Sequence, residues 1–465
     1  MIKIFRQYVS VRKLIFILGE SVLIFLGVTL ASRLMVADVI SISDLLMLSW
    51  PQILLVALVT QFSLYFNDLY DFQTSGNIIG LVTRLIQSIG MTSIILAIIY
   101  FLWPKAMIGR WIFFISIIFL LLFVASWRFL YALVIRNRLF AEKAIILGSG
   151  ELAKDLIEEV KGKRDISYDI RSVLLHEQLK NSPIQFDGVP VRFGFDRIGE
   201  VALAEQASHI IVALDQKRGI LPYNELLSCK LRGLSIIDGE SFYERITGKI
   251  LVDKISPSWL IFSDGFVKSG ATRFTKRFGG LVISSILLIT FAPLILLIAL
   301  AIKLDSSGPV LFTQERVGEN EKIFILHKFR SMIANAEDQT GPVWASERDP
   351  RITRVGRIIR KLRLDELPQL WNVFKGDISF VGPRPERPFF VEKLKELVPY
   401  YKERFTVKPG ITGWAQTKYG YGASVQDALE KLKYDLYYIK NMSFVMDLVV
   451  MFHTFKTVLL SRGSR

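Results

Sequence analysis

The chain has 465 residues, 51% of them hydrophobic, and 58 Lys and Arg against 43 Asp and Glu leave a net charge of +15. That length implies two or three domains, and the apolar content with a mean hydropathy of +0.38 excludes a soluble enzyme of ordinary composition. One cysteine, Cys229, excludes an intramolecular disulfide framework and a Cys-rich zinc site, and four histidines spread over the whole length speak against a histidine-based metal cluster.

Four apolar runs, at 14–32, 45–66, 78–102 and 111–135, are each long enough to cross a bilayer as a helix. No small-residue cleavage site follows the first, so it does not read as a signal peptide. An even number of crossings puts both ends of this block on one side. Lys3, Arg6, Arg12 and Lys13 before it and Arg136, Arg138 and Lys143 after it assign that side to the cytoplasm, against Lys105 and Arg110 in the last outer turn. Glu20 and Arg128 lie inside the first and fourth runs, roughly 11 Å from the cytoplasmic end at ~1.5 Å per residue. A lone charge at that depth is costly, so the two are expected to pair, unless Arg128 reaches back to the interface.

The next stretch alternates. Strands are expected at 143–147, 170–175, 209–214 and 234–238, and helices to Lys161, at 197–206 and at 222–232. This is the pattern of a parallel α/β sheet, a Rossmann-like domain over residues 141–262. Gly148 and Gly150 have the spacing of a dinucleotide loop, where backbone approaches pyrophosphate at a helix N-terminus. The supporting signals are missing: Glu177 comes late for a ribose ligand, and no Tyr has a Lys four positions on. The domain therefore reads as a regulatory, oligomerising or vestigial nucleotide fold, with a homo-oligomer among the expected partners. Cys229 and His209 have apolar surroundings and read as packing residues.

A fifth apolar run, 279–302, has basic flanks and Pro293 near its middle. A crossing would carry the basic remainder of the chain out of the cytoplasm; a re-entrant hairpin broken at Ala292-Pro293 keeps both flanks on one side. A simple fifth span is the alternative. Period-2 alternation over 308–318 and 322–332 predicts a hairpin turning at Gly318-Glu319-Asn320, with Lys328 and Arg330 of equal parity and suited to a phosphate-bearing ligand, the alternative being a solvated edge. Arg354, Arg357, Arg360, Lys361 and Arg363 form a basic helix. Asp365-Glu366-Leu367-Pro368 then starts another, with Gly376 past its end. Two carboxylates behind a basic patch suit nucleophilic attack on a phosphoanhydride or a divalent cation site; the alternative is that Asp365 only caps its helix. The rigid loop Gly382–Arg387 presents Arg384 and Arg387 for phosphate contacts. His327 and His453 read as structural. Residues 443–460 read as an amphipathic helix on the membrane with Asp447, Thr454 and Thr457 on one face, preceded by Tyr434, Tyr437 and Tyr438 as interface anchors.

KFRSM (328–332), the run from Asp349 to Pro388 and VKPGITGWAQ (407–416) resemble the bacterial sugar transferase family, the monotopic polyprenyl-phosphate sugar-phosphate transferases. The resemblance is close over 271–465, and the preceding blocks resemble the larger, exopolysaccharide-type members. It implies a four-helix transmembrane bundle (1–140), a Rossmann-like, CoA- or nucleotide-binding-like domain (141–262) and an α+β catalytic domain (271–465) with a re-entrant membrane helix hairpin. It further implies that Asp365 attacks the β-phosphate of a UDP-sugar, that UMP leaves, and that polyprenyl (undecaprenyl) phosphate takes the sugar phosphate from the aspartyl intermediate. Glu366 would accept a proton or orient the dyad, Mg²⁺ would bind Asp365, and Lys328, Arg360 and Arg384 fall where members carry phosphate-binding cations. Members usually break the membrane hairpin at Ser-Pro; here Ala292 replaces the serine. The expected place is the bacterial inner membrane, facing the cytoplasm, with no nucleic-acid partner. The rival readings are a nucleotide-sugar oxidoreductase or epimerase using the glycine loop, and a non-catalytic polysaccharide assembly scaffold.

Overall fold

The computed structural model describes residues 2–4, 7–35, 42–70, 78–136, 141–163, 166–179, 185–214, 219–254, 257–266, 268–333, 349–420, 422 and 424–459. The side chains of Lys3, Arg6, Arg136 and Arg138, part of the basic flanks, lie outside the described residues. The chain forms two compact units that meet in sequence at Phe242 and Tyr243.

In the first unit, α1 (Val11–Met35), α2 (Ile42–Phe66), α3 (Ile78–Leu102) and α4 (Arg110–Arg136) follow the four apolar runs. All four are long and apolar enough to cross a membrane. They pack through Phe16, Ile24 and Val28 of α1, Ile53 and Leu64 of α2, Leu96 of α3 and Leu120 and Val124 of α4, while most of their other apolar side chains face outward. Glu20 and Arg128 do pair, at 2.8 Å and almost fully buried. Arg128 also donates to the Leu69 carbonyl and lies over the Phe16 and Tyr70 rings. Removing one partner strands the other charge, so Arg128→Ala should lower the block's stability by about 2 kcal/mol. Glu20→Gln added to it should recover part of that loss in thermal melts; independent, additive effects would argue against a functional pair.

The sheet that follows is wholly parallel. Its strands are β1 (Glu142–Leu147), β2 (Tyr168–Leu175), β3 (Val191–Phe193), β4 (His209–Val212) and β5 (Ser235–Asp238), in the order β3-β2-β1-β4-β5. Helices α5 (Glu151–Gly162), α6 (Ile198–Ala204) and α7 (Tyr223–Leu231) connect them. β1, β2 and β4 are buried along most of their length, which is why they read as unbroken apolar runs. The short edge strand β3 carries no such run and escapes a periodicity reading. Cys229 is buried against Ile198 and Ile210, as a packing residue would be.

The second unit takes in most of α8 (Gly239–Thr247), then α9 (Pro257–Phe262) and α10 (Gly270–Asp305). β6 (Leu311–Val317) and β7 (Ile323–Phe329) form the expected antiparallel hairpin, Leu311 opposite Phe329 and Val317 opposite Ile323. α11 (Arg354–Lys361), α12 (Gln369–Lys375), β8 (Ser379–Val381), α13 (Pro388–Leu397), β9 (Gly410–Thr412), α14 (Trp414–Lys418), α15 (Val425–Asn441) and α16 (Phe444–Leu459) complete it. The core lies between α13, α15 and α16, around Val391, Leu432, Leu436, Tyr438, Met446 and Val450.

Three expectations need correction here. α10 is one continuous 36-residue helix with Pro293 inside it, so the chain is not broken at Ala292-Pro293. Proline removes a single amide donor, and the remaining i→i−4 bonds carry the helix past it. The face of α16 that carries Asp447 and Thr454 does not meet solvent: Asp447 accepts from Lys276 and Tyr438, and Thr454 bonds Thr412. Phe444, Leu448 and Phe455 are the outward residues. Tyr437 and Tyr438 are core residues rather than interface anchors, because α15 is enclosed around most of its C-terminal half.

Both ends of α10 touch the same body. Lys276 donates to the Val381 carbonyl and Asp447, and Arg277 donates to the carbonyls of Val373, Phe374 and Lys375. Farther along, Ile298 and Ile302 pack on Phe329 and Ile359. Between them Ile286, Ile289, Ala292 and Pro293 are exposed.

Candidate active site

The dyad stands on a short turn held between two helices. Thr353 caps α11 by accepting the Gly356 amide, and Asp305 accepts the Val355 amide, fixing the start of α11 to the end of α10. Gly356 runs so close to the Ser331 carbonyl that no Cβ would fit. After α11, Arg363 adopts a left-handed conformation (φ 55°) and turns the chain. One 3₁₀ turn, Leu364–Glu366, carries the two carboxylates. Leu364 and Leu367 pack into the cluster of Ile298, Phe329 and Ile359. The carboxylates are thus set between two apolar anchors.

Pro368 opens α12 and Gly376, at φ 92°, ends it. The dyad therefore precedes α12 by one turn instead of beginning it. No side chain caps α12, so the capping explanation for Asp365 fails. Asn372 locks α12 to the hairpin: its Oδ1 accepts the His327 amide at 3.0 Å and its Nδ2 donates to the Ile325 carbonyl at 2.7 Å.

The two carboxylates have different surroundings. Glu366 Oε1 accepts from Lys328 Nζ at 3.2 Å and from Arg384 Nη2 at 3.0 Å. Burial opposes its ionisation, but these two cations outweigh burial and hold the carboxyl well below the usual carboxylate range. Among the described residues no side chain bonds the Asp365 carboxylate. Burial, then the adjacent Glu366 charge, push Asp365 above its ordinary value against the pull of Lys328, Arg360 and Arg384. Burial likewise lowers Lys328, opposed by Glu366. One carboxylate is neutralised by cations and the other is left with an open oxygen pair.

Arg384 is positioned through its own backbone. The Gly382 amide bonds the Thr412 carbonyl at 2.9 Å, continuing the parallel β8–β9 pairing into the loop. Arg316 donates to the Pro385 carbonyl at 2.9 Å and Arg404 to the Arg384 carbonyl at 3.0 Å. Arg404 is itself buried against Asp435 at 2.9 Å, whose carboxyl burial pushes up to about 6 in spite of that cation. Arg316, Asn372 and Arg404 carry no local sequence signal, since these contacts join segments 20 to 69 residues apart.

The remaining candidates separate. Lys328 and Arg384 converge on Glu366 beside Asp365, and Arg360 acts on Asp365 through its charge. Arg387 stands at the N-terminus of α13, three residues past Arg384. Arg330, of equal parity with Lys328, does not join it: its amide still bonds the Val310 carbonyl, but the guanidinium donates to the carbonyls of Ser306 and Ser307. Arg330 thereby fastens the end of α10 to the hairpin. Gly148 (φ 137°) crosses so close to the Ala213 carbonyl that a side chain is excluded, a packing reason for glycine that needs no ligand. Gly150 precedes α5 as its N-terminal flanking residue.

The bacterial sugar transferase family model matches residues 271–461, and a CoA-binding domain model matches residues 65–219. A UDP-N-acetylgalactosamine-undecaprenyl-phosphate N-acetylgalactosaminephosphotransferase of Aeromonas hydrophila is 42% identical over 240 residues, 52% of this chain and 56% of that protein. An undecaprenyl-phosphate glucose phosphotransferase of Komagataeibacter xylinus is 45% identical over 194 residues, 41% of this chain and 36% of that protein. These alignments span only about a third to a half of the relatives' own length. An exopolysaccharide production protein of Rhizobium leguminosarum bv. phaseoli is 44% identical over 172 residues, 36% of this chain and 86% of that protein. The chain belongs to the bacterial sugar transferase family.

Proposed function

We propose that the protein is a membrane enzyme that moves sugar 1-phosphate from a UDP-sugar to polyprenyl phosphate, through a covalent intermediate on Asp365. The single observation that carries this reading is the contrast within the dyad: Glu366 bonded to Lys328 and Arg384, Asp365 unbonded beside the same cations. A carboxylate oxygen of Asp365 would attack the β-phosphorus, and the bond from that phosphorus to the α–β bridging oxygen would break. UMP leaves with the electron pair. A polyprenyl phosphate oxygen then attacks the same phosphorus, the P–O(Asp) bond breaks, and the carboxylate is restored.

Glu366, held ionised, orients Lys328 and Arg384 towards the phosphates. A cation site made of protein alone is absent among the described residues. One free carboxylate beside a diphosphate is nevertheless the donor set that Mg²⁺ uses, and Asp365 would hold it. Such an ion supplies charge neutralisation on the phosphates. The named donors of the relatives differ in their sugar, so the sugar is left as a class.

We read the four apolar helices as a transmembrane block with both ends in the cytoplasm, in the inner membrane of a bacterium, and α10 as a re-entrant helix. In support, both ends of α10 are tied to the body that carries the dyad, Arg277 through the carbonyls of Val373, Phe374 and Lys375 and Ile298 against Phe329 and Ile359, with the exposed Pro293 between them. A bend at Pro293 would turn the helix back towards its own start. The dyad then sits at the lipid–water boundary, where the acceptor must be met, because about 0.8 kcal/mol per buried methylene keeps its chain in the bilayer.

Purified protein with polyprenyl phosphate, Mg²⁺ and a panel of UDP-sugars should release UMP with at least one donor. Folded protein that releases none with any of them would reject the reading.

A further inference from the structure

A neutral side chain lines a small pocket beside the cations that hold Glu366. Gln369 is the first residue of α12, three residues after Glu366 and four after Asp365. It is 3% exposed. It lines a small pocket with Leu326, Lys328, Arg384, Arg316 and Pro385. Its Nε2 carries two N–H groups, and among the described residues neither finds an acceptor. Buried amides are nearly always hydrogen-bonded, and leaving one unpaired costs on the order of 1–3 kcal/mol. The side chains around it in the pocket are three cations, Leu326 and Pro385, none of which accepts a hydrogen bond, and Gly410 contributes backbone alone.

We infer that Gln369 is a ligand-binding residue whose amide N–H groups donate to a phosphoryl oxygen seated between Lys328 and Arg384. The inference rests on the transfer reading for the origin of that phosphoryl group. It does not depend on turnover, because the pocket, the cations and the unpaired amide exist without it. A neutral donor suits this place. Lys328 and Arg384 already share Glu366, and the amide adds direction without adding charge. Two phosphates could occupy the site in turn, that of the sugar nucleotide and that of the lipid acceptor.

The test uses the full chain in lipid nanodiscs and three variants of it: Gln369→Met, Gln369→Glu and Asp365→Asn. UDP and a short-chain prenyl phosphate serve as separate calorimetric probes. Methionine fills the same volume and removes the unpaired amide from the interior. Gln369→Met should therefore melt at the wild-type temperature or higher while binding at least one probe roughly tenfold more weakly, a change of about 1.4 kcal/mol. Gln369→Glu, which adds a third carboxylate to the two of the dyad, should bind that probe more weakly still. Weakening confined to UDP assigns the amide to the donor phosphate; weakening confined to the prenyl phosphate assigns it to the acceptor. A Gln369→Met protein that binds both probes as wild type does, with or without a fall in melting temperature, would overturn the inference, as would wild-type protein that binds neither. A wild-type protein that binds UDP, loses that affinity on Gln369→Met and yet releases no UMP would support the inference and reject the transfer reading. Asp365→Asn, which should bind UDP but not turn over, separates the two results.

Discussion

Asp365→Asn should abolish UMP release, by at least about 10³-fold, while leaving the protein folded and able to bind UDP. The size follows from what the side chain does in the proposed reaction: it supplies the attacking oxygen, and none of its neighbours can replace it. Lys328 and Arg384 carry no free electron pair when charged, and the Glu366 oxygen that meets them is committed to both. Stability should change little, because Asp365 caps no helix and bonds no side chain among the described residues. Removing one like charge beside Glu366 would tend to stabilise the fold. The expected signature is thus loss of turnover with an unchanged or raised melting temperature. A variant that loses both turnover and fold would point to a structural carboxylate.

The second large effect is expected at Glu366, and it has a direction in pH as well as a size. Asp365 must be ionised to attack, and its pKa is raised by burial and by the Glu366 charge. The acid limb of kcat/KM should therefore lie above the ordinary carboxylate range, with activity rising as pH rises through the raised value. Glu366→Gln removes the like charge and leaves Lys328 and Arg384 uncompensated. Both changes favour the Asp365 anion, so the acid limb should move to lower pH. The same substitution should cost roughly 10²-fold in the pH-independent rate, because two phosphate-facing cations lose the oxygen that aims them. Lys328→Met should move the limb the other way, to higher pH. An acid limb that stays in place in Glu366→Gln would mean that some group other than Asp365 governs it.

How far the sequence led is clearest by residue. The dyad, Lys328 and Arg384 were legible because they lie in long uninterrupted motifs, and because a carboxylate pair behind a basic helix restricts the chemistry. The Glu20–Arg128 pair was legible because lipid leaves a charge few partners. The parallel sheet was legible as unbroken apolar strands between helices. Arg330 was misleading, since parity gives a face and not a partner, and the carbonyls of Ser306 and Ser307 past the end of α10 take its guanidinium. The Asp447 face of α16 was misleading for a different reason. Periodicity separates two faces but does not say which is buried, and Lys276 and Tyr438 draw the polar one inward. The continuity of α10 through Pro293 could not be read locally, because what bends or straightens that helix is where its two ends are tied. Arg404 and Asn372 left no local signal: each acts through backbone groups far away in the chain.

The central claim is a bond between Asp365 and phosphorus. Enzyme incubated with a UDP-sugar and Mg²⁺, without lipid acceptor, should be acid-quenched, digested and analysed by mass spectrometry. The peptide carrying Asp365 should gain the mass of a sugar phosphate, the gain should disappear when polyprenyl phosphate is added before quenching, and Asp365→Asn should never acquire it. Wild-type enzyme that turns over at its full rate with an unmodified Asp365 at every stage, or an adduct on a different residue, would contradict it.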